Sequence, residues 1–156
     1  MEKIYRSFEA IDARITDWMA KYGILLLRVS LGVIFFWFGF LKFFPGLSPA
    51  QGLAARTIDV LSFGMIPPNV SIFILAAWES VIGIGLISGK FLRIILFLLF
   101  TQMLGTITPV LLFPSEVFTQ IPYAPTLEGQ YIIKNLVLIS AGLVIGATVK
   151  KVSSKS

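Results

Sequence analysis

Polar residues are sparse along this chain and cluster between long apolar runs. Windows of about twenty apolar residues mark bilayer spans, and four such windows are present: Gly23–Phe44, Val70–Ser88, Leu92–Phe113 and Tyr131–Val149. Only Gly89-Lys90-Phe91 joins the second to the third, which predicts an antiparallel helical hairpin. The gap from Pro45 to Asn69 is long enough for structure of its own. Ser48-Pro49-Ala50-Gln51 has the form of a capping box with proline at the first helical position. A short helix from Pro49 to about Ser62 is expected there, closed by Gly64. The gap from Pro114 to Gln130 carries three prolines and no basic residue, and reads as an ordered loop.

Ahead of the first window the pattern changes. Ile4, Phe8, Ile11, Ile15 and Trp18 recur at helical spacing among Glu, Lys, Asp and Arg. Residues 1–21 are therefore expected to form an amphipathic helix on the membrane surface. Charges interrupt them throughout, unlike a cleavable signal. Packing of that helix against inner loops of the bundle is the other reading. Residues 22–150 form the four-span unit, and 151–156 a basic tail. The fold class is all-α: an integral membrane four-helix bundle with an amphipathic N-terminal helix and a short external helix between spans one and two.

Composition sharpens this. The chain is 56% hydrophobic, above the 45–50% usual for soluble domains, so its outer surface faces lipid. Cysteine and histidine are both absent. Disulfides, thiol redox chemistry, Cys/His zinc sites, iron–sulfur ligation, His-ligated haem and Ser–His–Asp catalysis are excluded on that ground. The net charge of +5 needs no nucleic acid. Lys3, Arg6, Arg14, Lys21, Lys90, Arg93, Lys150, Lys151 and Lys155 fall on one side of a four-span arrangement. The other side has Arg56, and Lys42 at the end of its span. Basic residues mark the cytoplasmic side, so both termini are expected there.

Candidate chemistry lies on the inward faces of the spans. Arg28, Gly32, Phe35, Gly39 and Lys42 share one face of span one, where the glycines permit close helix approach. Span two offers Ala76, Glu79, Gly83 and Leu86, with Glu79 the only acid in any span. Span three offers Thr101, Gln102, Gly105, Thr106 and Pro109. Span four offers Tyr131, Asn135, Ile139, Gly142 and Gly146, with Lys134 beside them and a GxxxG face suited to a homo-oligomer.

Counted from the cytoplasmic ends at about 1.5 Å per residue, Arg28, Glu79 and Gln102 lie at similar depth. They are expected to form an inner tier, with Arg28 paired to Glu79 and a ligand cavity between spans one, two and three. Lys42, Lys134 and Asn135 would form an outer tier, with Glu116 and Glu128 as counter-charges. The plain structural reading is that the buried pair fixes helix register and the outer lysines snorkel to the headgroups. The functional reading takes intramembrane ionisable groups as a site. Both stand at this point.

The residues LLRVSLGVIFFWFGFLKFFPG, WESVIGIGLISG and LEGQYIIKNLVLISAGLVIG resemble DoxX-like four-helix bacterial membrane proteins across about residues 22–150. FFWFGFLKF is especially similar to the YkgB-type branch. By matching position, the resemblance implies that Arg28, Lys42, Glu79 and Lys134 are the family's polar residues. It implies an inner-membrane protein, some relatives being linked to thiosulfate:quinone oxidoreductase or oxidative-stress assemblies. The expected role is an accessory subunit or a binder of a lipophilic, quinone-like molecule, with no catalytic activity of its own. Its expected partners are the bilayer and membrane or peripheral redox proteins; no cofactor is intrinsic. A small proton-coupled transporter using Glu79 and a membrane scaffold are the alternatives.

Overall fold

The computed structural model describes residues 2–48 and 51–153. Six helices and one small hairpin follow in order: α1 (Glu2–Leu41), α2 (Gln51–Leu61), α3 (Pro68–Ser88), α4 (Leu92–Leu112), α5 (Pro114–Val117), β1 (Phe118–Gln120), β2 (Ala124–Pro125) and α6 (Leu127–Ser153). Four of them are long and apolar enough to cross a membrane, at Ile11–Leu41, Pro68–Ser88, Leu92–Leu112 and Leu127–Val149. The protein is a multi-pass, all-α membrane bundle.

The four spans form a ring: α1 packs on α3, α3 on α4, α4 on α6, and α6 returns to α1. The α1–α3 contact is the most extensive, and its cause lies in the glycines. A Cβ built on Gly39 would lie 2.7 Å from Cβ of Glu79, and one on Gly32 would lie 2.9 Å from the carbonyl oxygen of Gly83. Gly83 in turn faces the backbone of Phe36. Helix backbones approach this closely only where side chains are missing. These contacts fix the antiparallel register, with Gly39 level with Glu79 and Gly32 level with Gly83 and Ile87.

Leu31, Phe35, Ile82, Leu86, Ile95, Leu96, Leu99 and Ile145 make the dry core. Most of them lie toward the end of the bundle that carries the hairpin turn. Gly142 and Gly146 face Phe100 and Leu96 of α4. The two glycines of the GxxxG pair thus pack against α4 within the chain.

Three expectations need correction. The amphipathic segment is helical, as its spacing predicts, but it is the first half of α1 rather than a helix of its own. Nothing between Glu2 and Leu41 breaks a helix; Gly23 alone costs only about 1 kcal/mol relative to alanine. Phe8, Ile11, Ile15 and Trp18 are each more than half exposed, so they do not pack on inner loops. The second correction concerns residues 114–130, which hold α5 and the β1–β2 hairpin rather than loop alone. The third is minor: the tail from residue 151 continues α6 to Ser153, and 154–156 lie outside the described residues.

The short external helix is present as α2. Gly64 closes it as expected, adopting φ +74° and donating its N–H to the carbonyl of Asp59 at 2.8 Å. Pro49 and Ala50 of the capping box lie outside the described residues.

Candidate functional site

Between α1, α3, α4 and α6, at the end away from the hairpin turn, the ring opens into a cavity of about 550 Å³. That is within the roughly 300–1,000 Å³ of small-molecule sites. Apolar side chains dominate its wall: Ile34, Phe35, Phe38, Leu75, Trp78, Met103 and Leu138. Across its outer mouth lies α2, which presents Leu53, Thr57, Ile58 and Leu61 to it. Leu53 and Thr57 are the buried face of that helix, one turn apart. Trp78 also ties α3 to α4, its Nε1 donating to the carbonyl of Leu98 at 3.2 Å.

A compact polar cluster stands in this wall. Lys42 Nζ donates to Glu79 Oε2 at 2.7 Å, and Gln102 Nε2 donates to Glu79 Oε1 at 2.7 Å. Lys42 reaches the Phe38 carbonyl as well, at 3.3 Å. The side chains of Lys42 and Glu79 are only 12% and 10% exposed. Both oxygens of the carboxylate are thus engaged, one by a cation and one by an amide. A second polar contact lies on the α4–α6 wall, where Asn135 Nδ2 donates to Thr106 Oγ1 at 3.1 Å.

This geometry overturns the expected pairing of Arg28 with Glu79. The cation that meets the acid is Lys42, placed in the outer tier by the sequence reading. Helical side chains lean toward the N-terminus. Lys42 therefore leans back toward the level of Gly39, which is the level of Glu79. Arg28 lies roughly 16 Å further along α1 and leans the opposite way from Glu79. Its guanidinium covers Gly89, the left-handed residue that ends α3. There it complements the negative end of the α3 dipole. Gly89 needs its missing side chain twice over, since its φ is +73° and a Cβ would strike Arg28. Arg28 does not line the cavity.

The remaining outer-tier residues divide. Glu116 is no counter-charge for a lysine: Arg56 Nη1 donates to its Oε1 at 2.8 Å, and Nη2 to its Oε2. This pair ties α2 to α5, and the Arg56 guanidinium lies 5.7 Å from the Phe113 ring centroid. Lys134 lies 5.7 Å from the Tyr131 ring centroid and, like Glu128 and Asn135, lines the cavity. Neither Lys134 nor Glu128 joins an ion pair among the described residues.

Glu79 and Gln102 do meet, as expected, and the polar face of span three lines the cavity in full: Thr101, Gln102, Gly105, Thr106 and Pro109. The contribution of α2 to the site escaped the sequence reading. The i, i+4 spacing of Leu53 and Thr57 was the available signal.

No curated protein and no solved structure matches the chain significantly. The DoxX family model does match, over residues 23–113, which takes in α1 from the start of its apolar run, the α2 cover, α3 and α4. That stretch is more than half of the chain and contains Lys42, Glu79 and Gln102, so the chain belongs to the DoxX family.

Proposed function

We propose that this protein binds a lipophilic, quinone-like small molecule and serves a redox or stress-response system as an accessory membrane subunit. The carrying observation is the cavity of about 550 Å³, mostly apolar, with Lys42, Glu79 and Gln102 converging on one part of its wall. Few convergent polar groups in an apolar hollow is the usual construction of a site for a mostly apolar ligand. With no cysteine or histidine, the chain offers no thiol chemistry and none of the usual ligands for iron–sulfur clusters or haem. Electrons would pass by way of the bound molecule or a partner protein.

Proton-coupled transport is favoured by one feature, the ion pair on the cavity wall. Transport also needs a route to the opposite face. Leu86, Leu99 and Ile145, each 0% exposed, close the bundle below the cavity. Binding is the better reading.

The test is to isolate the protein from native membranes in lipid nanodiscs and identify what is extracted with it. One amphipathic molecule retained near stoichiometrically is expected. Phospholipids alone, in the proportions of the surrounding membrane, would refute the binding role.

The setting proposed is a bacterial cytoplasmic membrane with both termini inside, supported by family membership and by the basic residues of the turn and termini. A reporter active only outside the cytoplasm, fused after Ser156, should stay silent. A strong signal would reverse the orientation and place the cavity mouth and α2 inside.

A further inference from the structure

The first half of α1 stands outside the ring of spans. Arg28 covers Gly89 at the end of the bundle that carries the hairpin turn, and α1 reaches that level unbroken from Glu2. Every described side chain from Phe8 to Tyr22 is exposed. Phe8, Ile11, Ile15 and Trp18 each show more than half of their surface. A lone helix of this length is marginal in water, and an apolar stripe along it calls for a partner.

The spacing of the stripe says what kind of partner. Ile4, Phe8, Ile11, Ile15, Trp18 and Tyr22 stand 4, 3, 4, 3 and 4 residues apart, which is the heptad seam of a coiled coil. The same stripe continues into the span through Leu25, Leu26 and Val33, which are exposed as well. At 3.6 residues per turn, its middle lies about a quarter-turn from the Gly32–Gly39 face that meets α3. The seam is therefore not a face that the bundle uses.

Charge decides between a lipid surface and a second copy. Helices that lie on membranes are rich in Lys and Arg on the polar face, whereas residues 2–21 hold four acids and four bases. With Phe8, Ile15 and Tyr22 at the a positions and Ile11 and Trp18 at d, Asp12 falls at e, and Arg14 and Lys21 fall at g. In a parallel pair the e edge of each helix runs beside the g edge of the other. The acid of one copy thus lies along the basic edge of its partner on both sides of the seam. Two copies in one membrane share an orientation and meet at a raised effective concentration, which suits a seam this short.

We propose that two copies of this chain pair through the first half of α1 as a parallel two-stranded coiled coil, projecting from the hairpin-turn end of the bundle.

Disulfide trapping tests this on the full chain in its native membrane, because the chain has no cysteine of its own. Ile11→Cys and Ile15→Cys, on the seam, should form covalent dimer under mild oxidation at least about tenfold faster than Ala13→Cys on the opposite face, since only seam positions bring two Cβ atoms within disulfide reach. Adding Phe8→Asp to Ile15→Cys should abolish the dimer, and adding Ala20→Asp should leave it unchanged. All of these sites are exposed, so the substitutions spare the bundle. Equal trapping at all three cysteine positions would mean random collision and overturn the pairing. No trapping at any would overturn it too. In that case, slower labelling of the Ile11 and Ile15 variants than of the Ala13 variant by a water-soluble maleimide would assign the stripe to the lipid surface.

Discussion

Replacing Lys42 by methionine, or Glu79 by glutamine, is expected to destabilise the protein far more than making both changes together. Each single change strips one member from an ion pair whose side chains are 12% and 10% exposed. Breaking a buried pair leaves an uncompensated charge and typically costs about 3–5 kcal/mol. The Lys42→Met change leaves the carboxylate with only the Gln102 amide on it. The Glu79→Gln change strips the ammonium of its acid and leaves it the Phe38 carbonyl. The double variant has no charge left to strand. Its loss should fall short of the summed single losses by about 2 kcal/mol or more, within the range seen for coupled neighbours. A thermal-unfolding cycle in detergent measures this. Arg28→Met provides the contrast, because the guanidinium sits over Gly89 at the far end of α3. Its effect should add to that of Glu79→Gln within about 0.5 kcal/mol. If Arg28 couples to Glu79 and Lys42 does not, the register read from Gly32, Gly39 and Gly83 is wrong.

That register is the point at which sequence and structure part. The spans were legible, because twenty apolar residues in a row have no soluble explanation. The face of each span was legible too: the spacing of Arg28, Gly32, Phe35, Gly39 and Lys42 puts them on one side, and that side meets α3. Depth was not. Counting residues from the ends of apolar windows assumes that every helix starts at one plane, whereas α1 has no start near residue 23 and runs unbroken from Glu2. What sets the relative height of α1 and α3 is where glycines let the backbones touch. Gly32 and Gly39 on one helix and Gly83 on the other allow several registers, and only packing decides among them. Side-chain lean then moved Lys42 into the cluster and Arg28 out of it. The β1–β2 hairpin was hidden for a different reason. Its strands have three and two residues, too short for an alternating pattern to register.

The cavity allows a change that should separate ligand binding from stability. Gly105→Phe is expected to abolish binding of lipophilic probes while leaving the fold at least as stable. Gly105 lies inside α4 and lines the cavity. A Cβ built there meets nothing within 4 Å, so a side chain starts into open space. Glycine within a helix is disfavoured by up to about 1 kcal/mol relative to alanine, and phenylalanine recovers part of that. The ring would also bury apolar area against the cavity wall, at roughly 25 cal/mol per Å² removed from contact with water. The same ring occupies volume that a ligand needs. A ring placed there takes up part of a hollow of about 550 Å³, space that a ligand's tail would otherwise occupy. Affinity for an alkylphenol in nanodiscs should fall by more than about tenfold, equivalent to about 1.4 kcal/mol. The melting temperature should hold steady or rise. Lost binding with lost stability would show only that α4 had been disturbed. Unchanged binding with a stable fold would mean that ligands, if they enter at all, do not occupy the space beside Gly105, and the cavity would no longer be the site.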